Sequence, residues 1–210
     1  MRKKLHKSYQ LKDGTSCPGV TTVLNVLGKP GLLYWVKKVT QEGYDFTAIV
    51  GRSAGIGILV HRMILDHFNQ TFTDLSEYSP DEVKDAEQCF SNFIKWSEGK
   101  KIEGILYERP LVSEEFRFGG TLDFYGEVEG QLTLIDFKTT NQIRAEALYQ
   151  VSAYKHLLEE NGYGVEQVKV LRLKQGGPDE IEELTRTDLT KEFKVFLACR
   201  ELYQALREAK

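Results

Sequence analysis

Two apolar runs on either side of Glu129-Gly130 constrain this chain more than anything else in it. Phe116 to Val128 and Gln131 to Thr139 both read as strands, rich in β-branched and aromatic residues. Gly130 can supply the positive φ that a tight hairpin turn needs. A turn centred there pairs Val128 with Gln131 and, counting outward, sets Asp123 opposite Asp136 and Thr121 opposite Lys138. Alternation puts Asp136 and Lys138 on one face of their strand and Ile135 and Phe137 on the other. Facing residues of an antiparallel pair hold their Cβ atoms about 4.5–5.5 Å apart, where like charges repel. Two acids so placed call for a shared proton or for a cation between them. Hard oxygen ligands at that spacing suit Mg²⁺ or Mn²⁺. An ordinary hairpin with solvent-facing acids has the same pattern, and a one-residue bulge would undo the pairing.

Around this hairpin the elements fall in a clear order. Ile102 to Val112 is a third strand, a helix runs from about Ala145 to Asn161 and stops at Gly162, and Val165 to Lys174 is a strand. A further strand over 180–186 and a helix over Asp188 to Ala209 complete this half. Upstream, residues 8–14 suit a short strand, Pro18-Gly19 breaks the chain, and Val20 to Leu27 suits a short helix. Leu32, Leu33, Trp35, Val36 and Val39 form one helix face, a long helix covers about 45–69, and Ser79-Pro80-Asp81-Glu82 starts another that runs to about 98. The expected fold is α/β: a central mixed β-sheet flanked by helices, with an N-terminal helical part. A chain of 210 residues suits a single domain, 1–210, mostly helical over 1–99 and with the sheet core over 100–210.

The net charge of −3 conceals an asymmetry, because residues 1–38 hold eight Lys/Arg and a single acid, Asp13. Such a segment suits either a solvated tail or a local hold on a polyanion. Three scattered cysteines make no Cys-x-x-Cys pair, which argues against a cysteine-ligated cluster and for a reducing compartment, so a cytoplasmic location is expected. No uninterrupted apolar run approaches the ~18 residues of a membrane span, and no membrane partner is expected. His61 lies one helical turn after Gly57, on the same face, and a glycine there lets the helix come close to another backbone. Gln150 and Tyr154 share a face of the helix that follows the third strand of the sheet core.

Taken in order, these motifs resemble the PD-(D/E)xK nuclease superfamily in its RecB-like exonuclease branch. The series is Gly57-x-x-x-His61, Glu108 in Tyr107-Glu108-Arg109-Pro110, Gly119-Gly-Thr-Leu-Asp123, Ile135-Asp-Phe-Lys-Thr-Thr140 and Gln150-x-x-x-Tyr154. Gly19-Val-Thr-Thr-Val-Leu24 and Leu32-x-x-Trp35 are similar to the same branch. The resemblance implies a restriction-endonuclease-like core with Asp123, Asp136 and Lys138 as catalytic residues. It implies a Mg²⁺ or Mn²⁺ held by Asp123, Asp136, His61 and the Phe137 backbone carbonyl, with Glu108 as a weaker candidate. Gln150, Tyr154 and Thr139 would support the site or touch DNA, and Trp35, Tyr34 and Tyr9 would stack bases. The implied activity is metal-dependent hydrolysis of DNA to 5′-phosphate and 3′-hydroxyl ends by an exonuclease or single-strand nuclease, in recombination, repair or phage DNA processing. A structure-specific or restriction-type endonuclease and a catalytically silent DNA-binding subunit are the alternatives. The implied partner is DNA, as single strands or duplex ends, with a homo-oligomer or recombination proteins left open. Leu122 stands where the superfamily name has Pro, and with three cysteines no iron–sulfur cluster is expected.

Overall fold

A computed structural model describes residues 9–28, 30–176 and 180–209. Of the basic N-terminal segment, residues 1–8 and Lys29 lie outside the described residues. The small strands β1 (Tyr9–Gln10) and β2 (Ser16–Cys17) pair antiparallel and precede α1 (Val20–Leu24), which runs into a 3₁₀ turn at Asn25–Leu27. Then come α2 (Pro30–Gln41), α3 (Phe46–Asn69) and α4 (Pro80–Ser97). The main sheet is built from β3 (Ile102–Ser113), β4 (Phe118–Val128), β5 (Gln131–Lys138), β6 (Gln167–Leu173) and β7 (Ile181–Arg186). Helix α5 (Ala145–Glu160) joins β5 to β6, and α6 (Thr190–Glu208) follows β7.

The strands lie in the order β3-β4-β5-β6-β7, antiparallel except for the parallel pair β5–β6. A parallel neighbour requires a crossover, and α5 provides it. At the β4–β5 turn both Glu129 (φ 53°) and Gly130 (φ 78°) are left-handed, the backbone of a two-residue hairpin loop. The register anticipated from that turn holds from Val128↔Gln131 to Phe124↔Ile135.

Both faces of the sheet are covered, so the central strands are apolar in both directions. Ile135 and Phe137 of β5, with Leu171 and Leu173 of β6, join Ile56, Leu59 and Val60 of α3 and Cys89, Phe93 and Trp96 of α4. Leu134 of β5, with Val168 and Val170 of β6, joins residues of α1, α5 and α6. The mixed sheet between helical layers is therefore the architecture expected.

Local signals explain the helix starts. Ser79 accepts the Glu82 backbone N–H while the Glu82 carboxylate takes the Ser79 N–H, a reciprocal cap with Pro80 in the first turn. Asp45 caps α3 by accepting the N–H groups of Thr47 and Ala48. By length and composition α3 could cross a bilayer. Its second half instead packs into the core through Ile56, Leu59, Val60 and Ile64, while residues 47–54 are exposed.

Phe93 is fully buried, with its ring among those of His67, Phe68, Phe90, Trp96 and Phe137. Phe93→Ala is expected to cost about 3–5 kcal/mol of unfolding free energy. In guanidinium titrations the midpoint should fall while the slope stays unchanged.

Candidate metal-dependent active site

The site begins where the ladder between β4 and its neighbours breaks. Tyr107 pairs with Phe124 and Arg109 with Leu122, but Glu108 and Asp123 between them form no ladder pair. Glu108 adopts a left-handed φ of 43°, which is uncommon for a residue with a Cβ. Side-chain alternation slips at the same place. Leu122 is buried in the core under α5, whereas Phe124, two residues on, is buried under α3.

Asp123 occupies the slip. Its Oδ2 accepts the Phe137 backbone N–H at 2.9 Å, and its Oδ1 lies 3.3 Å from His61 Nδ1. His61 Nε2 is 3.0 Å from the Phe137 carbonyl oxygen, and Glu108 Oε1 is 4.0 Å from Nδ1. Gly57 makes this approach feasible, because a Cβ there would stand 3.2 Å from Thr139 Oγ1 at the end of β5. Ligand atoms of His61, Glu108 and Asp123 all lie within 4.8 Å of one another. They border a cavity of about 10 Å³, roughly the space of one water-sized particle.

On the other side of the Phe137 peptide, Asp136 is only 1% exposed, and its Oδ2 sits 2.6 Å from Lys138 Nζ. That oxygen is buried, and the Lys138 ammonium is its charge partner. Lys138 donates to Gln150 Oε1 at 2.9 Å, and Gln150 Nε2 donates to the Tyr154 hydroxyl at 2.8 Å. The Gln150–Tyr154 face of α5 thus looks onto the Asp136–Lys138 strand end. Tyr154 needs Gly120 beneath it, since a Cβ there would come within 2.6 Å of its ring. Gly119 makes the equivalent room for Tyr9, whose hydroxyl lies 3.0 Å from Thr121 Oγ1. Tyr9, expected as a base stacker, is engaged here in packing.

The charges push one another apart. Burial alone would raise Asp123, but His61 and Lys138 outweigh it and hold its carboxyl below the ordinary range. Burial pushes Asp136 up to about 6, with Lys138 pulling down and Asp123 adding repulsion. Burial works against a charged His61, yet Asp123 prevails and brings it to about 9. Asp123 and Asp136 therefore belong to one electrostatic cluster, although the compact trio contains Glu108 in place of Asp136. Glu108 and Asp123, with His61 as a nitrogen ligand, are the groups placed close enough to share one ion, and two carboxylates suit Mg²⁺ or Mn²⁺; Asp136, paired with Lys138, stands outside this trio. The small cavity, bordered by His61, Glu108, Asp123 and Phe137, fits such an ion.

Beyond the carboxyl ends of β5 and β6 opens a cleft of about 880 Å³ whose lining includes Arg52, Lys138, Thr139, Arg144, Gln150 and Gln175. Gln175 escaped the sequence reading. Its amide donates to Thr139 Oγ1 and to the Ser53 carbonyl, and its oxygen accepts the Ser53 hydroxyl, tying α3 to the strand end. Nothing local in the sequence signals a bond between residues 122 positions apart. Trp35 sits on α2, half-buried, its ring edge-on to Phe46.

No protein-family model matches the sequence, and no curated protein matches it. Among solved structures the chain is similar to a protein of Eubacterium rectale that carries a provisional exonuclease description. The TM-score is 0.51 at 12% identity, over 75% of this chain and 68% of that one. An alkaline exonuclease from Laribacter hongkongensis superposes over 75% of this chain and 90% of its own, at 15% identity and a TM-score of 0.34. The first likeness shows a shared α/β fold with a mixed sheet between helices.

The sign of the His61 shift sets a pH dependence. A folded value of about 9 against an ordinary 6.5 stabilises the metal-free protein fully below 6.5, and that stabilisation is lost as pH climbs through 9. In EDTA the melting temperature should fall across this window, and His61→Gln should flatten that part of the profile.

Proposed function

We propose that this chain is a Mg²⁺- or Mn²⁺-dependent deoxyribonuclease, an exonuclease or single-strand nuclease of recombination, repair or phage DNA processing. The observation that carries the reading is the strand end where Asp123, Asp136, Lys138, His61 and Glu108 cluster beside an open cleft lined by both basic and acidic side chains. The fold shared with the Eubacterium rectale protein, and that protein's exonuclease description, support it.

Glu108, Asp123 and His61 would hold the ion, with Asp136 and the Phe137 carbonyl beside them. When bound, it supplies Lewis acidity toward a phosphate oxygen and a nucleophile at neutral pH. The protein's own groups do the rest. Asp123 is fixed by the Phe137 N–H, so it meets its ligand without reorganising. Lys138 is braced between Asp136 and Gln150 and keeps donor capacity for a non-bridging phosphate oxygen, where charge grows during in-line attack. The P–O3′ bond breaks, leaving a 5′-phosphate and a 3′-hydroxyl. Arg144 in the cleft would meet a backbone phosphate, while Arg52 there is paired with Asp85 at 2.6 Å.

End-labelled single- and double-stranded DNA should be degraded with Mg²⁺ or Mn²⁺, and closed circles should be spared. Lys138→Ala should lower turnover by roughly 10²–10³ and, because it leaves Asp136 buried without its charge partner, should also lower the melting temperature at neutral pH. Asp136→Asn should abolish turnover without loss of stability in EDTA, because it removes a disfavoured buried charge. Unchanged cleavage by Asp136→Asn would overturn the site, and cleavage of circles would favour an endonuclease.

Binding of the ion is tested apart from activity. Saturating Mn²⁺ should raise the unfolding free energy by about 2.7 kcal/mol at a hundred times Kd. Asp123→Ala should lose most of that increment in calorimetry.

A further inference from the structure

Three residues of α3, Ser53, Gly57 and His61, follow one another at intervals of four and so share a face of the helix. Each meets a different point at the end of the sheet. His61 Nε2 reaches the Phe137 carbonyl at 3.0 Å, Gly57 passes against Thr139 Oγ1, and Ser53 meets Gln175 just beyond β6. The row is about 12 Å long at 1.5 Å per residue. Apolar packing holds only part of it, because the buried positions of α3 begin at Gly55 and residues 47–54 are exposed.

Gln175 is the polar tie at the open end of this row. Its amide nitrogen donates to the Ser53 carbonyl at 3.0 Å and to Thr139 Oγ1 at 2.9 Å, and its oxygen accepts the Ser53 hydroxyl at 3.0 Å. Both amide hydrogens are thereby spent inside the protein, which leaves no donor for a phosphate even though the residue borders the cleft. Its own backbone is anchored. The carbonyl of the preceding Lys174 accepts the Cys89 thiol at 3.3 Å, and the Lys174 ammonium donates to Glu180 at 2.7 Å. A fixed point beyond β6 therefore holds both α3 and Thr139, the residue that follows Lys138. Hydrophobic contact is non-directional, whereas a hydrogen bond fixes a length and an angle. Without the tie, the overhanging half of α3 can tilt. A tilt of the row carries the His61 ring away from Asp123 and Glu108, which its Nδ1 faces at 3.3 and 4.0 Å.

We infer that Gln175 is a positioning residue for the candidate metal site, acting through Ser53 and α3 on His61 and through Thr139 on the end of β5. The inference rests on the metal-dependent reading of that site. Groups that orient a metal ligand without touching the ion change metal affinity by roughly 10–100-fold when they are removed.

The test titrates the full-length protein with Mn²⁺ alone by calorimetry, with no DNA present and well below the melting temperature. Gln175→Ala should weaken Mn²⁺ binding by roughly 10–100-fold. Gln175→Met, which keeps the length and loses every bond, should do the same. Ser53→Ala removes only the hydroxyl bond and should cost less. Added to Gln175→Ala it should cost nothing more, because both act on one contact. In the cleavage assay Gln175→Ala should need more Mn²⁺ for its half-maximal rate, with the KM for DNA unchanged at saturating Mn²⁺. Wild-type Mn²⁺ affinity in Gln175→Ala and Gln175→Met overturns the inference whatever happens to the melting temperature, because the residue would then be a structural brace only. A raised KM with intact Mn²⁺ affinity also overturns it, since Gln175 would then touch DNA. Fully additive losses in the double variant overturn the shared contact. Should Gln175→Ala fail to fold, Gln175→Met and Ser53→Ala are read in the same way. A wild type that takes up no Mn²⁺ overturns the inference together with the metal reading. Failure of the nuclease reading looks different: Mn²⁺ binds and the variants weaken it, but no DNA is cleaved.

Discussion

One hydrogen bond organises the functional end of this protein. Where the β4–β5 ladder gives out, the Asp123 carboxylate accepts the Phe137 N–H that a backbone carbonyl would otherwise have taken. A buried N–H left unpaired would be costly, so the side chain is held as firmly as a piece of backbone. Because one oxygen is spent in this way, the other is fixed toward His61. His61 in turn reaches the carbonyl of the same Phe137. Both ends of a single residue's backbone are thus engaged by the two groups that flank the candidate metal site.

The electrostatics follow from that arrangement. Asp123 and Asp136 stand on adjacent strands but in different surroundings: one is held by His61 and Lys138, the other buried against Lys138. Environments that drive two carboxyls in opposite directions are a recurrent property of sites doing acid–base or metal chemistry. Lys138 belongs to both, and its tether through Gln150 to Tyr154 keeps the ammonium from drifting to solvent.

Much of this was legible in the sequence, because hairpin register and strand alternation are strict. Glu129-Gly130 set the pairing as far as Phe124 and Ile135, and the Ser79-Pro80-Asp81-Glu82 start of α4 was visible as a cap. The limit came at Asp123. Period-two alternation has no place for a left-handed Glu108, so the slip that brings Glu108 to His61 could not be read, and that acid was ranked lowest of the ligands. The anticipated facing of Asp123 and Asp136 became adjacency across the Phe137 peptide instead. Gln175 was invisible for another reason: its role lies in side-chain bonds between elements far apart in the chain. The N-terminal strand expected over 8–14 proved to be two two-residue strands about a turn with Gly14 at φ 80°, too short to leave a periodic signal.

Gly119 and Gly120 carry a further consequence. Each leaves room that one tyrosine ring fills, Tyr9 above the first and Tyr154 above the second. Any residue larger than glycine at 120 would need a smaller one at 154, and the hydroxyl that receives Gln150 would be lost with it. The two glycines are therefore fixed by shape: a side chain at either one leaves the strand end intact only if a smaller residue replaces the tyrosine above it.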